Sequence, residues 1–295
     1  MSEFAFDRTQ RLLGKDGMEN LKKSHVAVFG IGGVGGYAVE ALARSGIGAL
    51  TLVDHDRVEP SNLNRQIIAL HSTLGEFKVD AAAARVFDIA PHCRVSTHRC
   101  FFPEKSEKNA QTFDFSEYDF VIDAIDSIKS KVLLIETCIR AGTPIISCMG
   151  AGNKLDASAF RVCDLAKTKV CPLARVMRRE LKLRGIFHLP VVYSEEPPIT
   201  PAKQNTQNQT LQTMYQQQHQ TDVLSNMHTA ESAKTNDNDE ISSKRNPPGS
   251  VSFVPAAAGL LLGGTVVRAL ANPDFFLPGS EAFSEHARND AASMQ

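Results

Sequence analysis

The chain has 295 residues, 42% hydrophobic and 22% charged, with a formal net charge of −1 at neutral pH. That composition supports a real core in one large or two small units, and the balanced charge excludes a global basic field for nucleic acid. The six cysteines include no C-x-x-C pair, which excludes a zinc ribbon; in a chain this long they read as reduced thiols, not as a disulfide scaffold.

The amino terminus, MSEFAFDRTQ, lacks the apolar stretch of a secretory signal, so a cytoplasmic location is expected. Residues 1–24 read as a polar helical arm that carries Arg8 and Arg11. Apolar runs then recur at Val26–Phe29, Leu50–Val53, Phe120–Ile125 and Pro144–Cys148. Helical stretches at Tyr37–Ser45, Lys78–Ile89 and Lys129–Ala141 separate them, and Arg94–His98 adds a strand after Pro91 stops a helix. Strands alternating with helices predict an α/β fold, doubly wound around a mostly parallel sheet. This domain is expected over 25–198. From about 151 it becomes a substrate-side extension with a basic helix and a strand at Pro190–Ser194.

Residues 199–248 are rich in Gln, Asn, Thr and Ser and poor in apolar residues, which predicts a disordered insertion. Residues 249–277 read as a buried strand and helix, a smaller C-terminal extension, and 278–295 as a tail. Val251–Val267 carries no charge and approaches the length of a membrane span. Pro255, Gly259, Gly263 and Gly264 interrupt it and Arg268 closes it, which favours a buried helix.

The first strand runs into Gly30-Ile31-Gly32-Gly33-Val34-Gly35, where Gly30, Gly32 and Gly35 satisfy G-x-G-x-x-G. Glycines let backbone N–H groups approach a phosphate, and the helix that follows aims its positive end at the anion. Asp54 ends the second strand, where a carboxylate accepts hydrogen bonds from the ribose of NAD or ATP alike. Asp56 reads either as a second ribose ligand or as a loop cap.

The run Ser61-Asn62-Leu63-Asn64-Arg65-Gln66 discriminates more. Asn62 and Arg65 share a face of one helical turn, in reach of a triphosphate, with Gln66 beside them. Arginine offers a planar fork to phosphate oxygens. That fork suits charge growing on an α-phosphate under attack, which hydride transfer does not require. Lys78 opens the next helix and reads as a clamp on departing phosphates or as an exposed lysine. Asp126, in Asp123-Ala124-Ile125-Asp126-Ser127, follows the carboxyl end of a strand, where the ligand crevice lies. A carboxylate beside phosphates calls for Mg²⁺ between them; Asp123 reads as structural.

Together these motifs resemble the ThiF/MoeB superfamily, which shares the ATP-binding fold of ubiquitin-activating enzymes. Arg11–Gly14, Ala41–Gly48, Asp164–Thr168, Pro172–Ala174 and Val192–Glu195 narrow the resemblance to its tRNA threonylcarbamoyladenosine dehydratases. It covers nearly the whole chain except 199–248. It implies a Rossmann-like fold of the ThiF/MoeB type and an ATP site of Gly32, Gly33, Asp54, Asn62, Arg65, Lys78 and Asp126. It implies that Arg11 reaches the ATP of a partner subunit, hence a homodimer, and that Mg²⁺ is held through Asp126. It also allows a monovalent cation and a cysteine desulfurase system as a partner.

The activity implied is ATP-dependent cyclisation of the modified adenosine, by adenylation of its threonyl carboxylate and ring closure. The alternative is adenylation of the C-terminal glycine of a sulfur-carrier or ubiquitin-like protein. The missing zinc cysteines favour the tRNA branch. A non-catalytic ATP-binding scaffold and an NAD oxidoreductase stand further back.

Arg175, Arg178, Arg179 and Lys182 fall at helical spacing and form a basic face, either solvated or in contact with tRNA phosphates. Cys171 precedes that helix and reads as a core residue, because closure within one side chain needs no thiol.

Overall fold

The computed structural model describes residues 5–103, 113–202 and 248–280. The chain divides into two compact units, Met1–Pro198 with Ser250–Gln295, and Ile199–Gly249. The second unit, where the disordered insertion is expected, lies almost wholly outside the described residues, as does the tail from 281 onward.

In chain order the first unit runs α1 (Asp7–Lys23), β1 (His25–Phe29), α2 (Gly35–Arg44), β2 (Ala49–Val53), α3 (Lys78–Ile89), β3 (Arg94–His98) and β4 (Phe120–Asp123). It continues α4 (Ile128–Ala141), β5 (Ile145–Cys148), β6 (Phe160–Asp164), α5 (Pro172–Lys182), β7 (Pro190–Ser194) and α6 (Phe253–Ala271). The strands form one sheet in the order β3-β2-β1-β4-β5-β7-β6, parallel throughout except for β6 against β7. This is the doubly wound α/β architecture the alternation predicts.

Sequence dictates the layering. Parallel strands are covered on both faces and so read as continuous apolar runs; β2, Ala-Leu-Thr-Leu-Val, is buried at every position. Val26, Val28, Leu50, Leu52 and Ile122 point to one side, into a core shared with α2, α3 and α6. Ala27, Phe29, Val121 and Ile145 point to the other, against Leu134, Cys138, Met177 and Leu181 of α4 and α5.

Register then builds the crevice. Phe29 is level with Val53 and with Asp123, and Val53 is level with His98, so the strands end along one edge. The ladder continues one residue further: Gly30 N donates to Val53 O at 2.8 Å, Asp54 N to His98 O at 3.2 Å and Ala124 N to Phe29 O at 2.8 Å. The strand order reverses between β1 and β4, which is where open α/β sheets bind ligands.

Three features differ from the sequence reading. Residues 250–252 form no strand; Ser252 already has helical backbone angles (φ −60°, ψ −47°), and both edges of the sheet are occupied by β3 and β6. The chain does not leave the fold at Pro278: Gly279 is buried, and a Cβ built there meets Leu189 backbone carbon at 2.6 Å. Beyond 151 the main sheet gains β6 beside the expected strand at Pro190–Ser194.

Helix α6 is the one helix among the described residues long and apolar enough to cross a membrane. Its Val254, Ala258, Leu262 and Val266 lie in the core. It packs along α2 so closely that a Cβ at Gly259 falls 2.2 Å from Val34 O. These contacts fit the buried helix that its glycines favour.

Candidate active site

The glycine turn is held by close backbone approach. Gly30 has φ +87°, and a Cβ on it meets Ala124 O at 2.6 Å; a Cβ on Gly35 meets Gly30 O at 1.8 Å. Only glycine fits either position. Helix α2 starts directly after the turn with no side-chain cap. Gly36 N donates back to Gly32 O at 3.0 Å and Tyr37 N to Val34 O at 3.1 Å, so the donors this turn offers an anion lie ahead of them, at the half-exposed Gly32 and Gly33.

Asp54 buttresses the turn. One carboxylate oxygen accepts from Ile31 N at 2.6 Å and the other from Asp56 N at 2.9 Å. A carboxylate offers about four acceptor positions, so capacity remains for a ribose. Asp56 meets Lys78: the ammonium lies 2.6 Å from Asp56 Oδ2, and Lys78 N donates to Asp56 O at 3.0 Å. Lys78 is buried, not an exposed surface lysine. Its stem is fixed in the first turn of α3, with its charge at the carboxyl end of β2.

The 61–66 run forms a short 3₁₀ turn and its sequel. Asn62 is buried and its Oδ1 accepts from Glu59 N at 3.2 Å, which caps the turn. Arg65 donates to Ser61 O at 2.7 Å and to Asn64 Oδ1 at 2.9 Å. Its Cγ lies 3.5 Å from the position a Cβ on Gly33 takes, with Pro255 of α6 at 3.4 Å from the same point. Gln66 is buried, with Nε2 3.9 Å from a Cβ position on Gly32, and its Oε1 has no hydrogen-bond partner. A buried acceptor left unmade costs about 1–3 kcal/mol. That open acceptor beside a cradle that side chains would fill fits a phosphate-bearing ligand with its own donors.

Asp126 is exposed on the loop after β4, next to β1 in the sheet. Asp123 is buried and structural, 2.9 Å from Lys131 Nζ. Arg11 is exposed on α1, which breaks helical geometry at Gly14 (φ 75°, ψ 175°). Gly30, Gly32, Gly33, Gly35, Asp54, Asp56, Asn62, Arg65, Gln66, Lys78 and Asp126 thus all sit at the carboxyl-end side of β1, β2 and β4. Sequence reasoning missed two neighbours of this group, Pro255 and Ser250; Asn64, within the 61–66 run, donates from Nδ2 to Ser250 O at 3.0 Å.

The sequence profile of the ThiF family matches residues 6–287. The chain belongs to the ThiF family. This ThiF-family chain is 41% identical over 263 residues to the tRNA threonylcarbamoyladenosine dehydratase of Bacillus subtilis, across 89% of the chain and 92% of that relative. The crystal structure of Escherichia coli tRNA N6-threonylcarbamoyladenosine dehydratase in complex with ATP superposes with a TM-score of 0.68 at 30% identity, covering 90% of this chain and 93% of that one. The same enzyme in complex with AMP gives a TM-score of 0.70 at 31% identity, with the same coverage of 90% and 93%.

In this ThiF-family fold the basic face of α5 is smaller than its spacing suggests. Arg178 turns inward: its guanidinium donates to Leu165 O at 3.3 Å and to Thr168 O at 3.0 Å, and also reaches the Thr168 hydroxyl. It braces α5 against the turn before it and is not part of a solvated face. Arg175, Arg179 and Lys182 are exposed, with Arg179 3.0 Å from Glu180.

Cys171 is buried at the N-cap of α5, with Ala174 N donating to its sulfur at 3.5 Å. Burial pushes the Cys148 thiol up to about 12, and those of Cys93 and Cys163 up to about 11. Such thiols remain protonated and inert.

Proposed function

We propose that this chain catalyses the ATP-dependent dehydration of threonylcarbamoyladenosine in tRNA. One observation carries the reading. The glycine turn, Asp54, Arg65 and Lys78 meet on one edge of a fold whose whole-length relatives bear that name and were solved with ATP and AMP.

The chemistry follows from the site. The threonyl carboxylate attacks the α-phosphorus of ATP; the bond to the pyrophosphate oxygen breaks and an acyl-adenylate forms. A nucleophile within the same side chain then attacks the activated carbonyl, gives up a proton and expels AMP. A five-membered ring closes, and the oxygen lost from the substrate leaves in AMP. Arg65 and Lys78 neutralise charge that grows on the phosphates, aided by Arg11 from a second copy in a homodimer. Fixed cations act best when they need not reorganise, and Lys78 is already seated by Asp56. Asp126, exposed on the loop after β4, is the residue that would hold Mg²⁺, and the ion would supply further charge neutralisation there. Gly32 and Gly33 bind phosphate through their backbone, on a turn that Gly30 and Gly35 shape by close approach, and Asp54 with Asp56 faces the ribose. Asn62 and Gln66 complete the wall.

Arg175, Arg179 and Lys182 supply tRNA phosphate contacts, with salt-dependent and sequence-independent affinity. Arg178 supports them from behind. ATP, tRNA and reduced thiols suit the cytoplasm.

The test is to incubate the protein with ATP, Mg²⁺ and threonylcarbamoylated tRNA, digest, and weigh the nucleosides. Loss of one water from the modified adenosine is expected. An unchanged mass under conditions where ATP binds would overturn the reading. Turnover of ATP to AMP on a small protein with a free C-terminal glycine would replace it with the sulfur-carrier alternative.

A further inference from the structure

We infer that Asp123, Lys131 and Ser147 form a buried positioning device that fixes the Asp126 loop against the glycine turn. The inference rests on the ATP-site reading above. The three side chains come from β4, α4 and β5 and are 0%, 1% and 0% exposed. Lys131 Nζ lies 2.9 Å from Asp123 Oδ2 and 3.3 Å from Ser147 Oγ, and the Ser147 hydroxyl donates to Asp123 Oδ2 at 2.5 Å.

The other carboxylate oxygen of Asp123 points forward. It accepts from Ile125 N at 3.1 Å, one residue short of Asp126. The residue between, Ala124, is clamped from the β1 side. Its N–H donates to Phe29 O at 2.8 Å, and its carbonyl lies 2.6 Å from where a Cβ on Gly30 sits. On the far side Ser127 caps α4, and Lys131 N donates to Ser127 O at 2.9 Å. The segment 124–127 is therefore held at its start by Asp123 and Gly30, and at its end by the helix that carries Lys131.

A buried ion pair is a poor device for stability alone. Its desolvation penalty offsets its attraction, and apolar replacements are often neutral. Its value here is geometric and electrostatic. Two charges and a hydroxyl specify one arrangement of three elements beneath the crevice. Lys131 also cancels the charge of Asp123, so no second uncompensated carboxylate stands behind the phosphates. Asp123, Lys131 and Ser147 act through Asp126 and touch no substrate.

The test compares Asp123→Asn/Lys131→Met, which removes both charges together, with Ser147→Ala and Arg65→Ala. Thermal melting is read with no ligand, with ATP alone, and with ATP plus Mg²⁺, alongside kcat and KM. The double variant is expected to melt near the wild type and to keep the shift given by ATP alone. It loses the extra shift given by Mg²⁺, and its kcat falls roughly 10- to 100-fold with KM for tRNA unchanged, as expected for a misplaced group. If it does not fold, Ser147→Ala keeps the ion pair and decides: unchanged melting with kcat down roughly tenfold supports the proposal. If the variant that folds keeps wild-type kcat and the full Mg²⁺ shift, the positioning role is wrong. Arg65→Ala separates the two failures. If it keeps the ATP shift in full, the ATP-site reading itself is at fault.

Discussion

Helix α6 lies on α2 through glycine, and that contact makes a quantitative prediction. A Cβ at Gly259 falls 2.2 Å from Val34 O and 2.8 Å from Tyr37 Cβ. Both neighbours belong to or adjoin the first turn of α2, so no side-chain rotation relieves the clash. The helices must separate by about 1 Å, and overpacking of this kind costs typically about 1–3 kcal/mol. The same substitution gains about 1 kcal/mol of helix propensity. The balance for Gly259→Ala is a loss of up to about 2 kcal/mol. Gly264, on the same helix, has nothing within 4 Å of its Cβ position. Gly264→Ala therefore keeps the propensity gain alone, about 1 kcal/mol of stabilisation. Urea melts of the two variants should move the midpoint in opposite directions with an unchanged slope. Because Pro255 of α6 also backs Gly33, Gly259→Ala should weaken ATP binding while Gly264→Ala does not. Equal stability of the two variants would refute the packing argument.

Other consequences follow from the same geometry. Arg65→Ala should abolish turnover with melting unchanged, because among the described residues the guanidinium bonds to the exposed Ser61 and Asn64 of its own segment; full activity would remove Arg65 from the phosphate site. Arg178→Ala should lower the melting temperature, because it strands the buried carbonyl of Thr168 (Leu165 O keeps its bonds from Thr168), at a cost of about 1–3 kcal/mol. Arg175→Ala, by contrast, should leave melting alone and reduce the salt slope of tRNA binding by about one; the reverse pattern would restore Arg178 to the RNA-facing set.

Stability should fall on acidification in two stages. Burial holds the folded pKa of His25 below its ordinary 6.5 despite Asp119. Its contribution is present above 6.5 and lost as the pH drops through the lowered folded value. Burial alone would raise Glu40 and Asp164, but hydrogen bonds from Arg85 and Arg44, and from His188 and backbone amides, leave both below their usual 4.5 and 3.8. Their share is present above those values and lost at still lower pH. Urea midpoints in wild type and His25→Gln should diverge as the pH falls below 6.5; parallel curves would contradict the assignment.

Much of this structure was legible because its signals are local. Strand β3 at Arg94–His98, α3 at Lys78–Ile89 and β7 at Pro190–Ser194 match the expected bounds residue for residue. A glycine turn after an apolar strand announces itself in any context. What escaped reading depends on partners distant in sequence. Strand β6 is an antiparallel edge whose Arg161 is exposed, so its apolar pattern is thin. Lys131 carries no local signal of burial; Asp123 and Ser147 are brought to it by β4 and β5. The bond from Asn64 to Ser250 spans 186 positions, with nothing local to signal it. Arg178 was discoverable: Ala174, Met177 and Leu181 form the buried stripe of α5, and position 178 falls on that stripe.

The central claim is that the substrate carboxylate itself attacks ATP. It is tested most directly by following oxygen. Threonylcarbamoylated tRNA carrying ¹⁸O in both oxygens of the threonyl carboxylate is turned over with unlabelled ATP, and the AMP and cyclised nucleoside are weighed. Transfer of one labelled oxygen to AMP, with the other kept as the carbonyl oxygen on the new ring, is the result the mechanism requires. Unlabelled AMP alongside a dehydrated nucleoside would show that ring closure does not pass through an acyl-adenylate.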